Sequence, residues 1–136
     1  MRIRSLARAI APALAAALLP LASAGDAVEE ISPAELHARQ AASAGILVLD
    51  VRTPEEFAAG HIPGARNIPH TELAQRISEV RDAGAEEIVV YCGRGPRARL
   101  GEATLAEEGV RGIAHLDGGF LAWSEAGLPV EGPAAD

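Results

Sequence analysis

Glu87-Ile88-Val89-Val90-Tyr91-Cys92-Gly93-Arg94-Gly95-Pro96-Arg97-Ala98 is the stretch on which the fold turns. A β-branched run, Ile88 to Tyr91, ends at a cysteine. Glycines and arginines follow at once, and a helical stretch then runs from Arg97 to Glu108, with Leu100 and Leu105 among its apolar positions and Gly109 as its stop. An uninterrupted apolar run of this kind predicts a strand buried on both faces, because neither face can present polar side chains to water. The thiol therefore stands where a buried strand gives way to a helix N-terminus.

The same alternation extends in both directions. Upstream, Ser32-Pro33-Ala34-Glu35 is a capping box with proline at the first helical position, and it predicts a helix to about Ser43. Ile46-Leu47-Val48-Leu49-Asp50-Val51 is a second buried strand. Thr53-Pro54-Glu55-Glu56 is a second capping box, opening a short helix that Gly60 stops. Ile62 to Pro69 is too rich in proline for a helix and reads as a turn and a short edge strand. Thr71 to about Asp82 carries Leu73, Ile77 and Val80 at helical spacing. Downstream, Ile113 to Leu116 is a short strand. Asp117-Gly118-Gly119 turns into a last helix whose Phe120 and Trp123 are assigned to the core, and Gly127-Leu128-Pro129 ends it. Strands alternating with helices define an α/β fold, a parallel sheet with helices on both faces. Ligands of such sheets bind at the carboxyl ends of the strands, and two ends stand out: Asp50-Val51-Arg52 and Tyr91-Cys92.

The length, 136 residues, fits one domain preceded by a short leader. Met1 to Arg8 is basic, Ala9 to Leu19 is apolar, and Ala22-Ser23-Ala24 has the form of a signal-peptidase site. Residues 1–24 are thus expected to be a signal peptide and residues 25–136 a single exported domain, periplasmic or secreted. The apolar run is too short, and too interrupted by Pro12 and Pro20, to persist as a membrane anchor. Every basic residue is arginine and the formal charge is −7. Arg2, Arg4 and Arg8 fall within the leader and no acidic residue does, so the processed chain would carry −10, nine basic residues against nineteen acidic. That balance disfavours nucleic acid as a partner. A negative substrate would need a local positive focus.

Cys92 is the chain's one cysteine, so it forms no internal disulfide. Short glycine-bearing loops ahead of a helix turn their amides inward and favour an anion. Gly93, Arg94, Gly95, Pro96 and Arg97 are the candidate anion-binding residues around a Cys92 thiolate. Pro96 lacks an N–H, which removes one donor from the cradle while fixing its turn. A cation at the position of Arg97, at a helix N-terminus, is unfavourable unless an anion is present. Asp50 and Arg52 are expected to form a supporting group that pairs with neighbours and braces the Cys92 loop. His61 lies in a glycine- and proline-rich turn and reads as a turn-fixing hydrogen bonder. His70 and His115 have no second histidine at ligand spacing, so no metal site is expected.

Three stretches together resemble the rhodanese (sulfurtransferase) family in its small single-domain form. They are Leu49 to Phe57 running into Gly60-His61-Ile62-Pro63-Gly64-Ala65-Arg66-Asn67-Ile68-Pro69; the loop from Tyr91-Cys92 through Arg97; and Asp117-Gly118-Gly119-Phe120-Leu121-Ala122-Trp123 with Gly127-Leu128-Pro129-Val130. The resemblance spans roughly Ile31 to Val130. It implies a five-stranded parallel sheet, and a Cys92 that accepts a sulfane sulfur, becomes a persulfide and passes the sulfur on. The family's loop length matches Cys92 to Arg97. Pro96 and Ala98 depart from its usual residues, often a polar residue and a serine. Cysteine phosphatases use a cradle one residue longer, better suited to a tetrahedral phosphate.

The expected reaction is double displacement through a covalent intermediate. The donor is a small anion such as thiosulfate, and the acceptor is cyanide, a thiol or a protein. No metal or organic cofactor is called for. The alternative expectation is a persulfide carrier or protein-binding module with negligible turnover on small donors, since fold does not fix function.

Overall fold

The computed structural model describes residues 27–133, so the expected signal peptide lies outside the described residues. The elements, in chain order, are β1 (Glu29–Ile31), α1 (Pro33–Ala42), β2 (Ile46–Asp50), α2 (Pro54–Ala59), β3 (Arg66–Asn67), a 3-10 turn (Leu73–Arg76), α3 (Ile77–Asp82), β4 (Glu87–Tyr91), α4 (Pro96–Glu107), β5 (Ile113–Leu116) and α5 (Gly119–Glu125). The strands form one sheet in the order β1-β5-β4-β2-β3. Every pairing is parallel. This is the expected α/β architecture with five parallel strands.

Strand alternation divides the core in two. Leu47, Leu49 and Val51 from β2 and the residue after it, with Ile88, Val90 and Cys92 from β4 and its end, pack against Leu73, Val80, Ala98 and Leu105. Val48, Val89 and Tyr91 point the other way, toward Leu36 of α1 and Trp123 of α5. Each fully buried aliphatic side chain contributes about 1.5–3 kcal/mol of transfer free energy. Both faces must be covered for these strands to be this apolar, and both are. The C-terminal segment is tied down by Trp123 Nε1, which donates to the Pro129 carbonyl at 2.8 Å, and by a bridge between His61 and Glu131.

Four details differ from the sequence reading. β1 carried no strand signal: it has three residues, and both glutamates are exposed. The helix expected over 71–82 is a 3-10 turn followed by a short α-helix, and neither start has a side-chain cap. Without a cap the first turn tightens, which lets Leu73 reach the core beside Val51 and Gly101. Leu100, expected on the apolar side of α4, is 58% exposed, whereas Leu105 is fully buried. Phe120 is only half-buried and lies across a guanidinium (below). Trp123 is in the core as expected.

Candidate active site

β4 delivers Cys92 to the carboxyl edge of the sheet. Its side chain follows Ile88 and Val90 onto the α4 face, and it is 1% exposed. Strand alternation aims the thiol inward, so it is buried. The Gly95 N–H donates to Cys92 Sγ at 3.0 Å. Gly95 has φ 145°, a conformation that suits glycine and that side chains rarely adopt. α4 begins at Pro96, one residue earlier than expected, with Gly95 as N-cap and no side-chain cap. At this first helical position the missing proline N–H would have had no partner within the helix. The expected cradle of several amides is, in this state, one amide on the sulfur, with the rest of the uncapped first turn nearby.

The loop is held from behind by α5. Phe120 N donates to the Cys92 carbonyl at 2.8 Å and Leu121 N to the Gly93 carbonyl at 3.0 Å. Gly119 makes this approach possible. It has φ 60°, and a Cβ there would lie 2.5 Å from the Cys92 oxygen and 2.7 Å from the Gly93 oxygen. The sequence marked Gly118-Gly119 only as a turn before a helix. The doubled glycine was the available sign of a close backbone approach.

The arginines are more occupied than their spacing suggested. Arg97 Nη1 and Nη2 donate to Glu56 Oε1 and Oε2 at 2.6 and 2.9 Å. This bidentate pair, with help from Thr53, holds the Glu56 carboxyl down to about 2 against the effect of burial. Glu56 also completes the capping box of α2. Asp50 and Arg52 pair with each other, where pairing with neighbours was expected. Arg52 Nε lies 3.1 and 3.0 Å from the two Asp50 oxygens, and Nη2 lies 2.6 Å from Oδ2. The i to i+2 spacing at a strand end puts both groups on one side, so each is the other's nearest charge. Arg52 also donates to the Gly60 carbonyl at 2.7 Å. Its guanidinium sits 4.4 Å from the Phe120 ring centre and 5.5 Å from that of Tyr91. The residues before Cys92 and opposite its carbonyl are thereby braced. The Tyr91 hydroxyl accepts from Ile62 N at 3.1 Å, and burial pushes its ionisation well above the ordinary phenol range.

Arg97, one of the two loop arginines, and Arg52 of the supporting pair are thus both balanced by carboxylates. Arg94 is exposed and, among the described residues, has no ion-pair partner. His61 caps the end of α2: its Nδ1 lies 2.8 Å from the Phe57 carbonyl, and its ring stacks on Phe57 at 3.7 Å.

A buried strand thus ends in a cysteine whose sulfur takes an amide from the start of an uncapped helix. The Rhodanese-like domain family model matches residues 32–126, and the chain belongs to that family. It is 36% identical over 106 residues to a sulfurtransferase of Allochromatium vinosum, covering 78% of this chain and 97% of that protein. It is 44% identical over 108 residues to an HTH-type transcriptional regulator of Mycobacterium tuberculosis, covering 79% of this chain but only 46% of the regulator. The chain thus spans about half the length of that relative. Among solved structures it is similar to a rhodanese-related protein from Thermoplasma volcanium, with a TM-score of 0.66 and 32% identity, covering 76% of this chain and 97% of that one.

Proposed function

We propose that the chain is a sulfurtransferase in which Cys92 carries the sulfur. The observation that carries the reading is the contact of Gly95 N–H with Cys92 Sγ at the start of α4, a helix without a side-chain cap. That end of the helix favours a thiolate, and it favours a persulfide anion for the same reason. The relative named a sulfurtransferase, matched over almost its whole length, supports the class.

With thiosulfate as donor, the Cys92 thiolate supplies the electron pair for a new S–S bond to the outer sulfur. The sulfur–sulfur bond of the donor breaks, and its electron pair leaves on sulfite. In the second half, cyanide or a thiolate attacks the terminal sulfur, and the Cys92 thiolate is the leaving group. Arg94 is free to meet the incoming anion, Arg97 does so by sharing its charge with Glu56, and Gly93, Gly95 and Pro96 shape the loop. The reaction draws on no metal or organic cofactor. The domain works after export, released from its leader and from the membrane, in an oxidising compartment where a cysteine without a partner keeps its sulfur until an outside acceptor arrives. Steady-state kinetics with thiosulfate and cyanide test the reading. Parallel double-reciprocal lines, and loss of all turnover in Cys92→Ser, are expected. Intersecting lines, or turnover surviving that substitution, would overturn it.

A second reading, a persulfide carrier serving a protein donor or acceptor, is favoured by the burial of Cys92 and by the pairing of Arg97 with Glu56. Both reduce the pull on small anions. Slow turnover on thiosulfate, with rapid transfer to a protein thiol, would support it.

A further inference from the structure

Arg97 and Glu56 form a pair whose two halves act differently on the Cys92 loop. Arg97 is the second residue of α4, and its guanidinium lies against the loop: a Cβ built on Gly93 would sit 3.4 Å from Arg97 Nη2. Its proton is held more firmly than usual, first by its bond to Glu56 and further, against the effect of burial, by the charges of Cys92 and Asp50. Glu56 reaches the same guanidinium from α2 and takes one N–H from each Nη. A guanidinium carries five N–H donors in a fixed plane. The Nε–H and one donor on each Nη therefore stay free, and among the described residues no other side chain takes them.

The Glu56 carboxylate is a fixed charge in this setting. Arg97, with Thr53, holds its carboxyl down to about 2, so it is ionised throughout the neutral range. The pair is therefore a fork of hydrogen-bond donors without net charge. Of the other charges around the loop, Asp50 and Arg52 cancel each other. Behind the loop, Arg99 pairs with Glu30 and with the buried Glu102, which also meets His115. Arg94, Glu55 and Asp117 are exposed. All of these stay the same when Glu56 alone is changed, so they cancel in the resulting change of donor preference.

Repulsion between Glu56 and a donor scales with the donor's own charge. Thiosulfate, a dianion, loses twice as much to Glu56 as a donor with a single charge. We propose that Glu56 is a positioning residue for Arg97 that biases donor choice: it holds the fork of N–H donors against the loop while cancelling its charge, and so favours singly charged sulfane donors, organic persulfides among them, over dianionic thiosulfate. With a persulfide anion, the Cys92 thiolate forms a bond to the outer sulfur and the donor's S–S bond breaks. Its electron pair leaves on the donor's thiolate, and the transferred sulfur keeps the negative charge it brought. This bias presupposes sulfur transfer through Cys92, and the test separates the two.

The probe is a pair of donors: thiosulfate, and the methanethiosulfonate anion, in which a methyl group replaces one charged oxygen and the leaving group is methanesulfinate. The kcat/KM of each is measured at low salt with cyanide as acceptor. Glu56→Gln keeps the shape of the side chain and an acceptor for the capping box. In it the thiosulfate value should rise about fivefold and the methanethiosulfonate value about twofold, so that their ratio roughly doubles. High salt should shrink the change. Two controls separate charge from structure. Thr53→Ala weakens the same cap and should leave the ratio unchanged. Glu56→Asp keeps the charge and should hold the ratio near that of the unsubstituted chain. A ratio unmoved by Glu56→Gln, or raised as much by either control, would overturn this role of Glu56 and leave sulfur transfer standing. Turnover of both donors that survives Cys92→Ser would instead bring down the sulfur-transfer reading, and the bias with it.

Discussion

β2 and β4 are neighbours in the sheet, with Asp50 in register with Tyr91, and each runs through a short loop into a helix that starts with proline. The two junctions solve the same problem in opposite ways. After β2, Thr53 and Glu56 close a complete capping box, and Arg52 is locked onto Asp50. After β4 the helix starts at Pro96, its N-cap Gly95 offers no side-chain cap, and an amide turns to a sulfur. One junction spends its polar groups on itself, and the other leaves its helix end open. Glu56 joins them, capping α2 and holding Arg97 of α4. An exposed helix end is useful for binding an anion only if the backbone around it cannot collapse onto it. The closed junction, with α5 behind the loop, supplies that rigidity.

The largest effect should come from breaking the closed junction. Asp50→Ala leaves the Arg52 guanidinium, almost fully buried, without its counter-charge. A loss of about 3–5 kcal/mol is expected, read as a lower urea midpoint. A loss below about 1 kcal/mol would mean that Gly60 and the two rings suffice to hold Arg52. Gly119→Ala should come next. Its Cβ would collide with the carbonyls of Cys92 and Gly93 in a conformation already strained for alanine. We expect about 1–3 kcal/mol of destabilisation, together with a fall in sulfur transfer larger than stability alone explains. Equal stability and activity would show that α5 does not position the loop.

Glu56→Gln sharpens the comparison from the other side. It releases Arg97 from a carboxylate, so the KM for thiosulfate should fall several-fold while α2 loses part of its cap. An unchanged KM would show that Arg97 does not meet the donor. The smallest effect is on acid stability. The folded carboxyl of Glu56, near 2, lies below the ordinary carboxylate value of about 4.3. Its contribution is therefore complete above that value and is lost as the pH falls toward about 2. The stability profile of Glu56→Gln should run flatter than that of the unsubstituted chain across that window. Because this pair is partly exposed, the difference should also shrink in high salt.

The open junction was far more legible in the sequence than the groups that restrain it. Continuous apolar runs announce buried strands, and Cys92, Gly95 and Pro96 are local signals, so β2, β4 and the thiol loop could be read directly. Arg97 and Glu56 are 41 residues apart, and His115 and Glu102 are 13 apart on different elements. No periodicity encodes such pairs, because they exist only once the sheet order brings α2 and β5 beside α4. β1 failed for a different reason. As a three-residue edge strand with an exposed start, it has too little alternation to register. The uncapped 3-10 turn at Leu73 shows the remaining gap, since spacing alone could not tell where that helix would start.

The central claim is that the open junction holds a sulfur on Cys92. Intact-mass spectrometry of the purified chain after brief treatment with thiosulfate tests it most directly. The account predicts a gain of about 32 Da, one sulfur atom, that maps to Cys92, is absent in Cys92→Ser and is removed by cyanide. An unchanged mass, or the same gain in Cys92→Ser, would contradict it.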